Sequence, residues 1–160
     1  MKTYEGQMNA GDLKIAVVVA RFNELITEKL LQGASDAWRR CGGDESTLEI
    51  ARVPGAFELP LAAKTLIETG NFSAVVCLGC VIRGATDHYD YVCGQTASGL
   101  MKVGLDSGLP VIFGVLTTDT LEQAFERAGS KAGNKGADAM LAAIEMANLQ
   151  KQIRQNEPRA

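Results

Sequence analysis

The sequence predicts an α/β fold, a three-layer α-β-α sandwich in which helices cover both faces of a four-stranded parallel sheet. Three observations carry this. Short apolar runs of strand length alternate four times with segments whose apolar residues recur every three to four positions. The runs are continuous, as in strands buried on both faces. Glycines punctuate the helical segments, as Gly42-Gly43 and Gly70 do.

Lys14 to Ala20 is β-branched and reads as the first strand. Arg21-Phe22-Asn23 ends it, and Asn23 is an N-cap candidate for a helix carrying Ile26, Leu30, Ala34, Ala37, Trp38 and Cys41 at helical spacing. Thr47 to Val53 is the second strand and Pro54-Gly55-Ala56-Phe57 a turn. Glu58-Leu59-Pro60 opens the next helix, proline being tolerated in its first turn. Ala74 to Ile82 is the third strand. A long helix from about Thr86 to Ser107 follows. Its small residues, including Gly94, Gly99 and Gly104, weaken an isolated helix and suit close approach of another backbone. Val111 to Leu116 is the fourth strand. Thr118 or Asp119 is read as the cap of a short helix with Leu121, Ala124, Phe125 and Ala128. Gly129 to Gly136 is a joint, and Ala137, Met140, Leu141, Ile144 and Ala147 mark the last helix. Strand–helix alternation gives parallel strands, most simply in the flavodoxin-like order 2-1-3-4.

Length places residues 1–160 in one domain, with 1–12 as a polar N-terminal arm and 150–160 as a polar, fraying tail. A 46% hydrophobic share and 22% charged residues argue against disorder. Net charge is −3, and Arg39-Arg40 is the only adjacent basic pair, so a nucleic-acid partner has little support. No apolar stretch approaches the roughly 20 residues that span a bilayer. The N-terminus lacks the apolar core of a signal peptide. The default is a soluble cytoplasmic protein. Cys77-x-x-Cys80 invites a redox or zinc reading, but residues three apart on a strand face opposite sides. With one histidine and no second close cysteine pair, the four cysteines are read as reduced and structural, with no metal.

Ligands of open α/β sheets sit at the carboxyl ends of the strands. There the sequence gathers Phe22, Asn23, Glu58, Arg83 and its only histidine, His88. A strand ending in a glycine turn that opens a helix presents free N–H groups and a positive dipole end, a setting for phosphate. At such a helix start the imidazole of His88 is read as neutral, able to accept a proton and return it. Bland readings stand beside these. Phe22 serves equally as core or as a stacking platform, and Glu58 as a first-turn dipole partner. His88 can be a capping or surface histidine. Arg127, Lys131 and Lys135, spaced four apart, form either a solvated helix C-terminus or a phosphate clamp. Gly-x-Gly-x-x-Gly is absent after the first strand, so a dinucleotide site is not indicated.

Five stretches, in order, then carry a resemblance: Ala-Arg-Phe-Asn (20–23), Val-Pro-Gly-Ala-Phe-Glu-Leu-Pro (53–60), Gly-Cys-Val-Ile-Arg-Gly-Ala-Thr-Asp-His-Tyr-Asp (79–90), Phe-Gly-Val-Leu-Thr (113–117) and Glu-Arg-Ala-Gly-Ser-Lys-Ala-Gly-Asn-Lys-Gly (126–136). The chain resembles lumazine synthase from Lys14 to about Ile153. The resemblance implies a transferase of riboflavin biosynthesis. It joins 5-amino-6-(D-ribitylamino)uracil to 3,4-dihydroxy-2-butanone 4-phosphate in the penultimate step, with no metal or organic cofactor. It implies that Phe22 stacks on the pyrimidine, with Asn23 close by. Ala56, Phe57 and Glu58 hold the ribityl chain and ring edge, and Cys80, Val81 and Ile82 meet the ring. Gly84, Ala85, Thr86 and Arg127 cradle the phosphate, supported by Lys135. Phe113 of an adjacent subunit covers the ring, and His88 moves protons. The resemblance further implies homopentamers with sites between subunits, twelve pentamers as a 60-mer shell, and association with riboflavin synthase. Tyr89 stands where phenylalanine is common in the family. A flavin- or lumazine-binding protein without turnover, or a purely structural cage component, are the competing readings.

Overall fold

The computed structural model describes residues 1–156. Its two central strands show why their runs are apolar throughout. Ile15–Ala20 (β1) and Ala74–Ile82 (β3) pair in parallel, and each feeds two cores. Ile15, Val17 and Val19 enter one core with Val76, Leu78 and Cys80; Ala16, Val18 and Ala20 enter the other with Val75 and Cys77. This is strand alternation between two buried faces. It also separates Cys77 from Cys80, as their spacing on a strand predicts. Glu49–Val53 (β2) flanks β1 and Val111–Thr118 (β4) flanks β3, giving the parallel order β2-β1-β3-β4 that the sequence predicts.

Glu24–Arg40 (α1) and Lys135–Gln155 (α5) cover the first face through Ile26, Leu30, Met140 and Ile144. Leu59–Glu68 (α2) and His88–Ser107 (α3) cover the other through Leu59, Ala63 and Leu100. Short Leu121–Glu126 (α4) leads into a hairpin of Ala128–Ser130 (β5) and Gly133–Asn134 (β6). Within the chain, close packing accounts for Gly99, where an added Cβ would sit 2.8 Å from the Pro60 ring, but not for Gly94, which faces open space.

Several local readings are corrected. The joint at Gly129 to Gly136 is that hairpin plus the first turn of α5, and Ala128 belongs to β5. The cap of α4 is Thr120 rather than Thr118 or Asp119. Its hydroxyl accepts from the Gln123 N–H at 3.2 Å while the Gln123 side chain accepts from the Thr120 N–H, a reciprocal capping box. The tail does not fray at Gln150: α5 runs to Gln155, and Arg154 Nη2 donates to the Gly108 carbonyl at 2.9 Å. Residues 157–160 of that tail lie outside the described residues. The N-terminal arm is strapped to α5, with Asn148 Nδ2 donating to the carbonyls of Gln7 and Asn9 at 2.7 and 2.8 Å. Ala10 is fully buried in the first core.

Candidate functional site

The loops that leave the carboxyl ends of β1, β2 and β3 are stitched together by main chain. Arg21 N–H donates to the Val53 carbonyl at 2.8 Å and Phe22 N–H to that of Pro54 at 3.1 Å. Asn23 ties this pair to β3. It occupies the N-cap position of α1, yet its side chain makes no cap bond, which corrects the capping assignment. Its backbone is left-handed, φ 59°, a conformation asparagine tolerates better than most residues. That turn aims Nδ2 at the Cys80 carbonyl, 2.8 Å away. Asn23 is therefore a strut between two strand-end loops.

On this frame Phe22 stands 71% exposed and Phe57 58% exposed, so neither is core. Ala56 and Cys80 are buried, Val81 and Ile82 half-buried, and Glu58 exposed beside them in sequence. Burial pushes the Cys80 thiol up to about 11, which keeps it protonated and makes it a poor target for oxidation. The loop 84–87 is exposed. None of the N–H groups of Gly84, Ala85, Thr86 and Asp87 has an acceptor among the described residues, apart from helix-internal pairing further on. His88 follows as the first residue of α3, and its imidazole is exposed. Free amides, a helix's positive end and an imidazole thus occupy five consecutive residues, Gly84 to His88.

The remaining predicted residues lie elsewhere on the chain. Phe113, Arg127 and Lys135 line a groove of about 390 Å³ beside the edge strand β4, together with Thr117 and Asp138. Lys135 N–H donates to the Arg127 carbonyl at 2.9 Å, so the hairpin brings the two basic residues together. Arg127 Nη1 is steadied by the Gln123 carbonyl at 3.0 Å, and Lys135 Nζ pairs with Asp138 at 3.3 Å. Lys131, at the hairpin tip, does not line the groove. A guanidinium and an ammonium sharing one groove can hold an anion. No strand-end residue of β1 to β3 lines it. One chain thus carries two separate sets: an aromatic, amide-rich and imidazole-bearing set, and a cationic set with Phe113.

Sequence reasoning missed Asp138 and the partners of Arg83. Asp138 had a legible signal, its three-residue spacing from Lys135 on a helix. Asp119, which meets Arg83 at 2.8 Å, lies too far along the chain to leave one. Among the described residues no group of three or more His, Cys, Asp or Glu side chains could hold a metal ion, and no helix is long and apolar enough to cross a membrane.

The order 2-1-3-4, with polar and aromatic groups at the strand carboxyl ends, defines a flavodoxin-like α/β protein, a class whose ligands sit at those ends. The family follows from a direct comparison. Residues 12–151 match the sequence model of the family described as 6,7-dimethyl-8-ribityllumazine synthase. The chain belongs to that family of transferases in riboflavin biosynthesis.

Proposed function

We propose that this chain is a working 6,7-dimethyl-8-ribityllumazine synthase. It condenses 5-amino-6-(D-ribitylamino)uracil with 3,4-dihydroxy-2-butanone 4-phosphate and releases phosphate and water. One observation carries the reading: family membership over residues 12–151, with the five motifs at the strand-end loops and the β4 groove.

The two sets of residues suit a site shared between subunits. Phe22, Ala56, Phe57, Glu58 and the Cys80–Ile82 edge of one subunit receive the pyrimidine and its ribityl chain, with Asn23 bracing the loops. Gly84, Ala85 and Thr86 offer amides to the phosphate. Arg127, Lys135 and Phe113 come from a neighbouring subunit, the cations closing on the phosphate and the ring covering the pyrimidine. The assembly is a homopentamer, twelve of which build a 60-mer shell in the cytoplasm.

Each step then has a physical agent. The 5-amino group adds to the ketone and expels water to give an imine. Loss of a proton and of phosphate gives an enol, which tautomerises to a carbonyl. The ribitylamino nitrogen attacks that carbonyl, and a second water leaves as the ring closes. His88 takes and returns protons; a placed acid–base is worth roughly 10²–10⁴-fold. Holding two reactants edge to edge supplies a further advantage, and the phosphate clamp converts remote binding into orientation.

Mixing both substrates and following lumazine fluorescence tests the reading. Wild-type protein is expected to form product. His88→Ala should lower kcat by roughly 10²-fold or more, from the lower limit of acid–base help upward. Arg127→Ala should raise KM for the phosphate substrate and leave KM for the pyrimidine nearly unchanged. Riboflavin binding without product formation would overturn the proposal.

A further inference from the structure

The first turn of α3 carries the imidazole, yet its own backbone holds it loosely. Asp87 stands at the N-cap position without a side-chain cap bond. The His88 N–H reaches the Thr86 hydroxyl only at 3.5 Å, at the limit of a hydrogen bond. The four amides before it have no acceptor among the described residues.

Arg83 supplies what the turn lacks. Its N–H donates to the Thr118 carbonyl at 2.9 Å, which fixes its own backbone to the end of β4. Its Nε donates to Asp119 Oδ1 at 2.8 Å. Its Nη1 lies 3.5 Å from Asp90 Oδ1. The guanidinium lies over the Tyr89 ring, 4.2 Å from the centroid. Tyr89 and Asp90 are the two residues after His88. One side chain therefore joins the end of β3, the loop after β4 and the turn bearing the imidazole. Two carboxylates take up its charge, so it is not a free cation for the anion beside Gly84.

We propose that Arg83 is the positioning residue that orients His88 for proton transfer; this rests on the role of His88 given above. A planar fork that spans two carboxylates while stacking on a ring is particular to arginine, and lysine does not reproduce it. The ion pairs are about half exposed, so they add little to global stability. Their effect falls on geometry, to which rate is sensitive.

The test is a double-mutant cycle in kcat with Arg83→Ala, His88→Ala and the double variant. Arg83→Ala is expected to lower kcat roughly tenfold, with KM for the phosphate substrate and the urea midpoint nearly unchanged. In the His88→Ala background the same change should cost nothing further. Arg83→Lys should recover little. Losses that multiply in the double variant, or a His88→Ala protein with unchanged kcat, would overturn the proposal. Hydrogen exchange over residues 90–94, the first amides of α3 that have acceptors, provides an arm independent of turnover. Arg83→Ala should speed exchange there and not in β3, and unchanged exchange would overturn the proposal too. Wild-type protein that forms no lumazine while Arg83→Ala speeds exchange would sink the functional reading and leave the Arg83 contacts established as the restraint on the turn.

Discussion

Gly136→Ala sets two physical effects against each other. Gly136 is the second residue of α5, and in a helix alanine is preferred to glycine by about 0.8–1.0 kcal/mol. Packing opposes the change. A Cβ at 136 would lie 2.8 Å from the Leu30 Cα and 2.5 Å from its carbonyl carbon, with the carbonyl oxygen closer still. Carbon atoms rest about 3.5–4.0 Å apart, so α1 and α5 must part by roughly 1 Å. The obstacle is backbone and cannot rotate away. Overpacking of this kind costs about 1–3 kcal/mol. Parting the helices also pulls on Asn134, whose Oδ1 caps α5 and whose Nδ2 donates to the Lys29 carbonyl at 2.9 Å; a lost cap costs about 1 kcal/mol more. After subtracting the propensity gain, the net loss is about 1–3 kcal/mol. At a urea m-value of about 2 kcal/mol/M the midpoint should fall by roughly 0.5–1.5 M. The assay is urea unfolding by circular dichroism at one fixed protein concentration. An unchanged or raised midpoint would refute the packing argument. Because α5 begins at Lys135, the variant should also weaken binding of the phosphate substrate.

Asn23→Ala should destabilise by about 2–3 kcal/mol, combining a left-handed backbone that alanine resists with the lost bond to Cys80. Asn23→Gly should lose only the bond, about 1 kcal/mol, and equal losses on urea unfolding would show that the backbone conformation contributes nothing. Alkali should destabilise the fold through its buried thiols. Burial raises Cys80 to about 11 and Cys77 further in the same direction, whereas unfolded thiols ionise near about 8.5. Above that pH the unfolded state sheds protons that the folded state keeps, so stability falls as pH rises toward 11, by up to about 1.4 kcal/mol per pH unit per thiol. Urea midpoints between pH 8 and 11 should decline less steeply for a Cys77→Ala/Cys80→Ala protein; equal slopes would count against the argument.

What was legible in the sequence was whatever local chemistry decides. Ala74 to Ile82 is found with the predicted ends because a strand buried on both faces is apolar throughout. Asn23 was legible as special but not as a strut, because its partner lies 57 residues away. The helix stopped short at Gln150 on paper, since polar residues with distant partners look like solvated ends; Arg154 meets Gly108 across 46 residues. The hairpin at 128–134 depends on the positive φ of Gly129 and Gly133, which a run of mixed Gly and Lys does not announce. The strand-end cluster was readable because topology alone places sites there. Its separation from the β4 groove was not, because spacing along a chain says nothing about which edge of the sheet a hairpin will face.

The long helix α3 is lightly anchored. Of its twenty residues only Thr96 and Leu100 are buried, and three interior glycines each cost it about 1 kcal/mol relative to alanine. In a protomer stripped from any neighbours, fluctuation would therefore begin in this segment while the sheet persisted. Dilution alone, without denaturant, would then blur the imidazole's address before any loss of strand signal.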